Sequence, residues 1–328
     1  MADWSGLSIA VLVPCYNEEA AIGKVVRDFR AALPEAVVYV YDNNSKDRTM
    51  EVAREAGAVV RSEPLQGKGN VVRRMFADIE ADVYLMVDGD DTYEAAAAHR
   101  LIDAMALHGA DMVNAIRITD IEKAYRPGHV LGNRMLTGMV AWIFGDRVDD
   151  MLSGYRVFSR RFVKSFPVLS SGFEIETELT VHALELAMPM SQAETAYKDR
   201  PEGSESKLKT FRDGFRILGT IVALLQRERP LRFYGGLCVA LATLSVGLAV
   251  PLFITYFETG LVPRFPTAIL CSAIMLAAFL SLTAGLVLDT VTHGRREVKR
   301  LAYLAEPSVH ARLGVGQSLT DTSTAQSA

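Results

Sequence analysis

Between residues 7 and 116, apolar and polar positions follow two alternating patterns. Short apolar runs at 7–13, 37–41, 59–61, 83–87 and 112–115 have the length and composition of strands buried on both faces. The stretches between them, 18–33, 47–56, 69–79 and 95–108, carry apolar residues at helical spacing, and Ser45 is placed to cap the second. Repeated strand–helix units predict a mainly parallel sheet with helices on both faces. Ligands of such a sheet gather at the carboxyl ends of its strands.

After residue 232 the pattern changes. Residues 233–257 contain no charged residue over 25 positions, and 265–288 contain none over 24. A helix needs about 20 apolar residues to cross the hydrocarbon core of a bilayer, so both runs qualify as spans. The alternative is a pair of buried helices in a soluble domain, which rarely stay uncharged for so long. Pro251 is tolerable within a span. Arg212, Arg216, Arg227, Arg229 and Arg232 precede the first run, and Arg295, Arg296, Lys299 and Arg300 follow the second. The short connection carries Arg264 alone, so both ends are expected to face the cytoplasm. The N-terminus shows no secretory signal pattern. The expected organisation is a cytoplasmic α/β domain over 1–210, a juxtamembrane amphipathic helix over 211–232, and two spans within 233–290, at about 233–257 and 265–289. A cytoplasmic tail over 291–328 ends in a disordered stretch rich in Ser and Thr. The whole is expected to be a multi-pass inner-membrane protein.

Composition changes the picture little. Hydrophobic residues make up 50% and charged residues 23%, which excludes disorder of the chain as a whole. A net charge of −4 argues against nucleic acid as a partner. Cys15, Cys238 and Cys271 form no CxxC pair and no disulfide framework.

The chemistry lies where the strands end. Pro14-Cys15-Tyr16-Asn17-Glu18 follows the first, Asp42-Asn43-Asn44-Ser45 the second, and Asp88-Gly89-Asp90-Asp91 the fourth, while Gln66-Gly67-Lys68-Gly69 opens the third helix. Three carboxylates within four residues repel one another unless a cation sits among them, and hard oxygen ligands suit Mg²⁺ or Mn²⁺ with a substrate phosphate completing the shell. The alternative is a solvated acidic turn. Lys68, between two glycines, can approach a phosphate because the backbone there can come close, unless it is a lysine on a surface turn. There is no GxxxxGK[ST] and no GxGxxG, so neither a Walker loop nor a dinucleotide site is indicated.

These segments resemble the inverting family 2 glycosyltransferases with a GT-A fold. The resemblance continues in Asp150-Met151-Leu152-Ser153-Gly154-Tyr155-Arg156 and in residues 200–207, which are similar to the polyprenyl-phosphate branch that includes dolichyl-phosphate mannose synthases. A C-terminal pair of membrane helices is similar to its bacterial members. The likeness covers about residues 7–290 and implies an α/β fold: a Rossmann-like GT-A domain, mainly parallel sheet with flanking helices, plus a C-terminal two-helix transmembrane hairpin. It implies donor contacts from Pro14, Tyr16, Glu18, Asp42, Lys68 and Asp88, with metal held by Asp90 and Asp88. Arg117, Arg134, Arg200, Ser204 and Lys207 match positions that engage phosphate groups of donor and acceptor, and Asp90, Asp150, Arg117 and Arg134 are the expected catalytic set. Two positions depart from the family pattern: Asp42-Asn43-Asn44-Ser45 stands for the commoner Asp-Asp-Xaa-Ser, and Thr92 for a Gln found in some members.

The implied reaction moves a sugar from a nucleotide sugar, UDP-linked by preference and GDP-mannose otherwise, to a polyprenyl phosphate. A phosphate monoester has a second pKa of about 6, so the nucleophile needs little help from a base. The expected site is therefore rich in Arg and Lys, and the six histidines form no cluster. Asp150 is expected to orient the acceptor, and Glu176, within Glu174-Ile175-Glu176-Thr177-Glu178, to lie near the sugar. Apolar stripes at 130–144 and 211–225 are candidates for interfacial helices. Rival readings are a processive synthase, a non-catalytic nucleotide-sugar-binding scaffold and a lipid flippase. Gln226-Arg227-Glu228-Arg229 lacks the Trp of the synthase QxxRW element, Lys68 and Asp90 are retained, and two spans are too few for a translocation path. A homo-oligomer, a tetramer by resemblance, is expected.

Overall fold

A computed structural model describes residue 4 and residues 6–118, 138, 150–172, 174–198, 219, 222–223 and 225–314. The chain divides into two units, Met1–Ile217 with Lys299–Ala328, and Leu218–Val298.

The first unit holds a seven-stranded sheet of β1 (Ile9–Cys15), β2 (Val37–Asp42), β3 (Val59–Ser62), β4 (Val83–Met86), β5 (Met112–Ile118), β6 (Arg156–Ser159) and β7 (Met190–Ala196), in the order β3-β2-β1-β4-β6-β5-β7. Neighbours run parallel except β6, which is antiparallel to both β4 and β5. The helices α1 (Glu19–Ala32), α2 (Thr49–Glu55), α3 (Lys68–Asp78), α4 (Ala97–His108), α5 (Arg160–Ser165) and α6 (Ile175–Glu185) flank it. Side chains alternate across each strand, which divides the core in two. Val11 and Val13 of β1 pack in the cluster that includes Ile22 and Phe29 of α1 and Leu101 of α4. Ala10 and Leu12 pack in the cluster that includes Met75 and Phe76 of α3 and Leu179 of α6. α4 ends where Gly109 takes a left-handed φ of +58°.

Ser45 is not the cap of α2. Its hydroxyl accepts the Asn17 N–H (2.8 Å), and Asp47 takes both the N–H (3.1 Å) and the hydroxyl (2.5 Å) of Thr49. β5 runs three residues beyond the expected end, to Ile118, because β7 pairs along its full length.

The second unit contains α7 (Pro230–Thr259), and α8 (Phe265–Ala305) starts within it. Their most apolar stretches have mean hydropathies of 2.4 and 2.2, and only 6% and 17% of these stretches are buried. A pair buried in a soluble core would be largely covered; these two helices are mostly exposed, and they are long and apolar enough to cross a membrane. Of the juxtamembrane stretch 211–232, only the latter part lies largely within the described residues.

The expected division at residue 291 differs from the observed one. α8 continues to Ala305, and the chain from Lys299 belongs to the first unit. There Lys299 pairs with Glu185 (2.6 Å), the Tyr303 hydroxyl donates to Asp111 (2.8 Å), and Arg312 pairs with Asp82. Val309, in α9 (Val309–Arg312), is buried in the core cluster of α1 and α4. Residues 315–328, the end of the expected tail, lie outside the described residues.

Candidate active site

Strand register sets the site. Cys15 lies beside Asp42 and Leu12 beside Met86, so the loops after β1, β2 and β4 emerge together at one edge. The sheet reverses its order between β1 and β4, the place where open α/β sheets bind ligands. Antiparallel β6 begins at Arg156 opposite Met86, which brings residues 150–155 to this same carboxyl edge.

The first two loops are knitted together. The Glu18 N–H donates to the Thr49 hydroxyl (2.8 Å) and the Lys46 N–H to Asn17 Oδ1 (2.8 Å). Pro14 and Tyr16 are half-buried, while Glu18 and Asp42 are buried. Asp42 Oδ2 accepts the Ser45 N–H (3.0 Å), and its Oδ1, also buried, has no hydrogen-bond partner among the described residues. Leaving such an oxygen unpaired costs about 1–3 kcal/mol, so Asp42 is suited to accept from a ligand. Asn43 departs from the expected Asp for a structural reason. Its amide nitrogen donates to the carbonyls of Glu63 (2.9 Å) and Leu65 (2.8 Å), while its oxygen accepts the Gly67 N–H (2.6 Å). A carboxylate there could not donate.

Lys68 is the hub. Its ammonium lies 2.5 Å from Asp88 and 2.6 Å from Glu176. Burial opposes its charge, but the two carboxylates outweigh burial and hold its pKa above the ordinary range. The glycines beside it serve packing. Side chains at Gly67, whose φ is +128°, and at Gly69 would overlap the carbonyls of Ser171 and Ser170. The glycines thus also let this backbone approach the 170–171 loop closely. Gly154 is equally constrained, because a Cβ there would overlap the Asp88 carboxylate.

The acidic cluster separates. Asp91, in the left-handed region at φ +55°, turns to Lys24 (2.8 Å), and Asp88 shares Lys68. Asp90 is buried and accepts the Thr92 hydroxyl (2.6 Å), so Thr92 orients that carboxylate. Among the described residues no three His, Cys, Asp or Glu side chains form a metal cage. Asp88 and Asp90 are the hard oxygen donors that would hold a Mg²⁺ or Mn²⁺ here, with substrate phosphate completing the shell.

On the β5 side Arg117 is gripped by Asp150 through two bonds (2.6 and 2.8 Å) and lies over the Tyr197 ring (5.3 Å). Burial opposes its charge, and Tyr93 and Asp150 raise its pKa. Arg156 is fully buried and has no carboxylate bonded to it among the described residues. It donates to the carbonyls of Met151 (2.6 Å) and Ser153 (3.0 Å) and to the Thr180 hydroxyl (2.7 Å), fixing the 151–153 turn against α6. Burial lowers its pKa to about 10, so it stays cationic at neutral pH. Tyr93 accepts the Gly154 N–H (3.0 Å). The sequence patterns do not expose this part of Arg156 and Tyr93, although Arg156 lies in a quoted motif. His182 is buried, paired through Nε2 with Ser165 (3.0 Å), and burial lowers its pKa to about 3, as suits a neutral core residue.

Asp88, Lys68 and Glu176 are thus brought together, as are Arg117 and Asp150. Arg134, Arg200, Ser204 and Lys207 lie outside the described residues, as does almost all of the 130–144 stripe.

The family model for glycosyl transferase family 2 matches residues 10–165. Glycosyltransferase AglJ of Haloferax volcanii is 36% identical over 255 residues, covering 76% of this chain and 82% of that protein. A dolichyl-phosphate hexose transferase of the same organism is 27% identical over 229 residues, covering 70% and 99%. Among solved structures, glucosyl-3-phosphoglycerate synthase of Mycobacterium tuberculosis superposes with a TM-score of 0.56 at 22% identity, covering 67% of this chain and 81% of that one. The same synthase has been solved with Mn²⁺, UDP-glucose and glycerol 3-phosphate (TM-score 0.52). The fold is GT-A, and the chain belongs to glycosyl transferase family 2.

Proposed function

We propose that this glycosyltransferase moves a sugar from a nucleotide sugar, a UDP-sugar by preference, to a polyprenyl phosphate at the cytoplasmic face of a membrane, with inversion. The observation that carries the reading is the Asp88–Lys68–Glu176 cluster, which lies with Asp90 at the reversal of strand order. Asp42, with its buried unpaired oxygen, fits a donor N–H of the base. A relative named for dolichyl phosphate and two helices long enough to span support the lipid acceptor. The Mn²⁺ and UDP-glucose complexes of a synthase with this fold support the donor and the metal.

In this reading a phosphate oxygen of the lipid attacks the anomeric carbon, and the bond to the nucleoside diphosphate breaks with its electron pair leaving on the diphosphate. Lys68 and Arg117 supply fixed positive charge, and Asp150 sets the direction of the Arg117 guanidinium. A Mg²⁺ or Mn²⁺ held by Asp88 and Asp90 would neutralise charge on the departing diphosphate. Arg134, Arg200, Ser204 and Lys207 complete the proposed phosphate contacts.

The test is transfer by the purified protein, with Mn²⁺ and undecaprenyl phosphate, from a panel of labelled UDP- and GDP-sugars. Label is expected to enter the lipid from one donor, and Asp90→Asn to lower the rate at least about 100-fold. Nucleotide binding without transfer from any donor would instead support the scaffold reading.

A further inference from the structure

The chain between α5 and α6 is held in an unfavourable shape. Val168 takes a left-handed φ of +44°, a costly region for a β-branched residue. It is buried in the core cluster that includes Ile175 and Leu179 of α6, and such backbone persists only where its surroundings enforce it. The Glu178 carboxylate of α6 supplies part of the enforcement. One of its oxygens accepts the Leu169 N–H (2.9 Å) and the other the Ser170 N–H (2.8 Å). The same loop presents the Ser171 carbonyl to the Gly69 N–H (3.1 Å), a donor that the first turn of a helix leaves without a helical partner. That turn belongs to α3 and begins at Lys68.

α6 therefore reaches Lys68 twice. Glu176 holds the ammonium directly (2.6 Å), and Glu178, two residues on, holds the loop against which Gly67 and Gly69 pack. We infer that Glu178 is a positioning residue: through the 169–171 loop it fixes the first turn of α3, and with it the place of the Lys68 ammonium between Asp88 and Glu176. The inference rests on the transfer reading proposed above for what Lys68 does. A lysine has a flexible four-carbon stem, so its charge is fixed only when backbone and tip are both held. Glu176 and Asp88 hold the tip, and Glu178 holds the backbone. Bonds from backbone N–H groups to a carboxylate are among the stronger ones, which suits Glu178 to keep a strained loop in place.

The experiment compares the purified full chain with Glu178→Gln, which keeps one acceptor oxygen for the loop, and Glu178→Ala, which keeps none. Lysines are acetylated with N-hydroxysuccinimidyl acetate and read by mass spectrometry. Lys68 (10% exposed) is expected to be protected in the unmodified chain and to label about 10-fold faster in Glu178→Gln. Lys299 (14% exposed), held by Glu185 at the far end of α6, should stay protected. In the transfer assay kcat should fall about 10-fold for Glu178→Gln and about 100-fold for Glu178→Ala, with the KM for undecaprenyl phosphate little changed. In a Lys68→Met background Glu178→Gln should cost less than about two-fold more, because a residue that acts through Lys68 has nothing left to position. Unchanged labelling of Lys68 overturns the inference, and so does a full loss of rate in the Lys68→Met background. Faster labelling of Lys299 together with Lys68 overturns it in favour of a general loosening of α6. Glu178→Gln decides these outcomes even if Glu178→Ala does not fold. An unmodified chain that transfers no sugar from any donor overturns the transfer reading instead, and the labelling of Lys68 still decides whether Glu178 positions it.

Discussion

A single missing methyl group carries much of the site. Gly154 sits against the Asp88 carboxylate, which in turn holds Lys68 at 2.5 Å. Gly154→Ala must displace Asp88, and the displacement passes to Lys68 and its bond to Glu176. The expected outcome is a fall of about 100-fold in kcat/KM. The cost in stability should be only about 1–3 kcal/mol, that of one extra methyl in a packed place. Steady-state transfer rates and thermal unfolding of the same sample check both. Gly67 and Gly69 teach a related lesson. A glycine pair around a lysine announces close approach of the backbone, and one neighbour that demands the glycines is the chain's own 170–171 loop. Residue type announced the need for room, and only the fold named what fills it.

At the scale of elements, antiparallel β6 and the docking of the chain from Lys299, at the end of α8, are the features that local pattern does not announce. Periodicity marks a strand but not its direction, so the delivery of residues 150–155 to the carboxyl edge follows only from the pairing of Met86 with Arg156. Residues 299–312 read as part of a cytoplasmic tail because their partners are distant: Tyr303 bonds Asp111, 192 residues away. That bond is testable. Asp111 is fully buried and also bonded by Arg161 and Ser159, and the Arg161 guanidinium lies 4.6 Å over the Tyr303 ring. Tyr303→Phe keeps the ring contact and deletes the hydroxyl. The half-buried hydrogen bond to a charged group is worth about 1–2 kcal/mol, so the unfolding midpoint should drop by several degrees, about 2–4 °C per kcal/mol. Differential scanning calorimetry in detergent reads the shift. An unchanged midpoint would mean that this segment adds no stability to the transferase unit.

At the scale of the whole molecule, the two units divide the work proposed for them, sugar transfer in one and membrane contact in the other. If, as the Lys and Arg counts predict, both ends of the helix pair lie inside the cell, a cysteine placed at exposed Leu261, between α7 and α8, should react with an impermeant maleimide in intact cells. One placed at exposed Leu65, in the transferase unit, should react only after lysis. The reverse result would invert the orientation. The sequence by itself determined the order of strands and helices through β5, the two long apolar helices and the polar strand ends, because each of these is written in periods of a few residues. Only the tertiary structure decided that Glu176 reaches Lys68 across 108 residues, that Asn43 braces the third loop, and that the chain beyond residue 299 rejoins the first unit. Contacts between distant residues depend on strand order and direction, and these leave no local period in the chain.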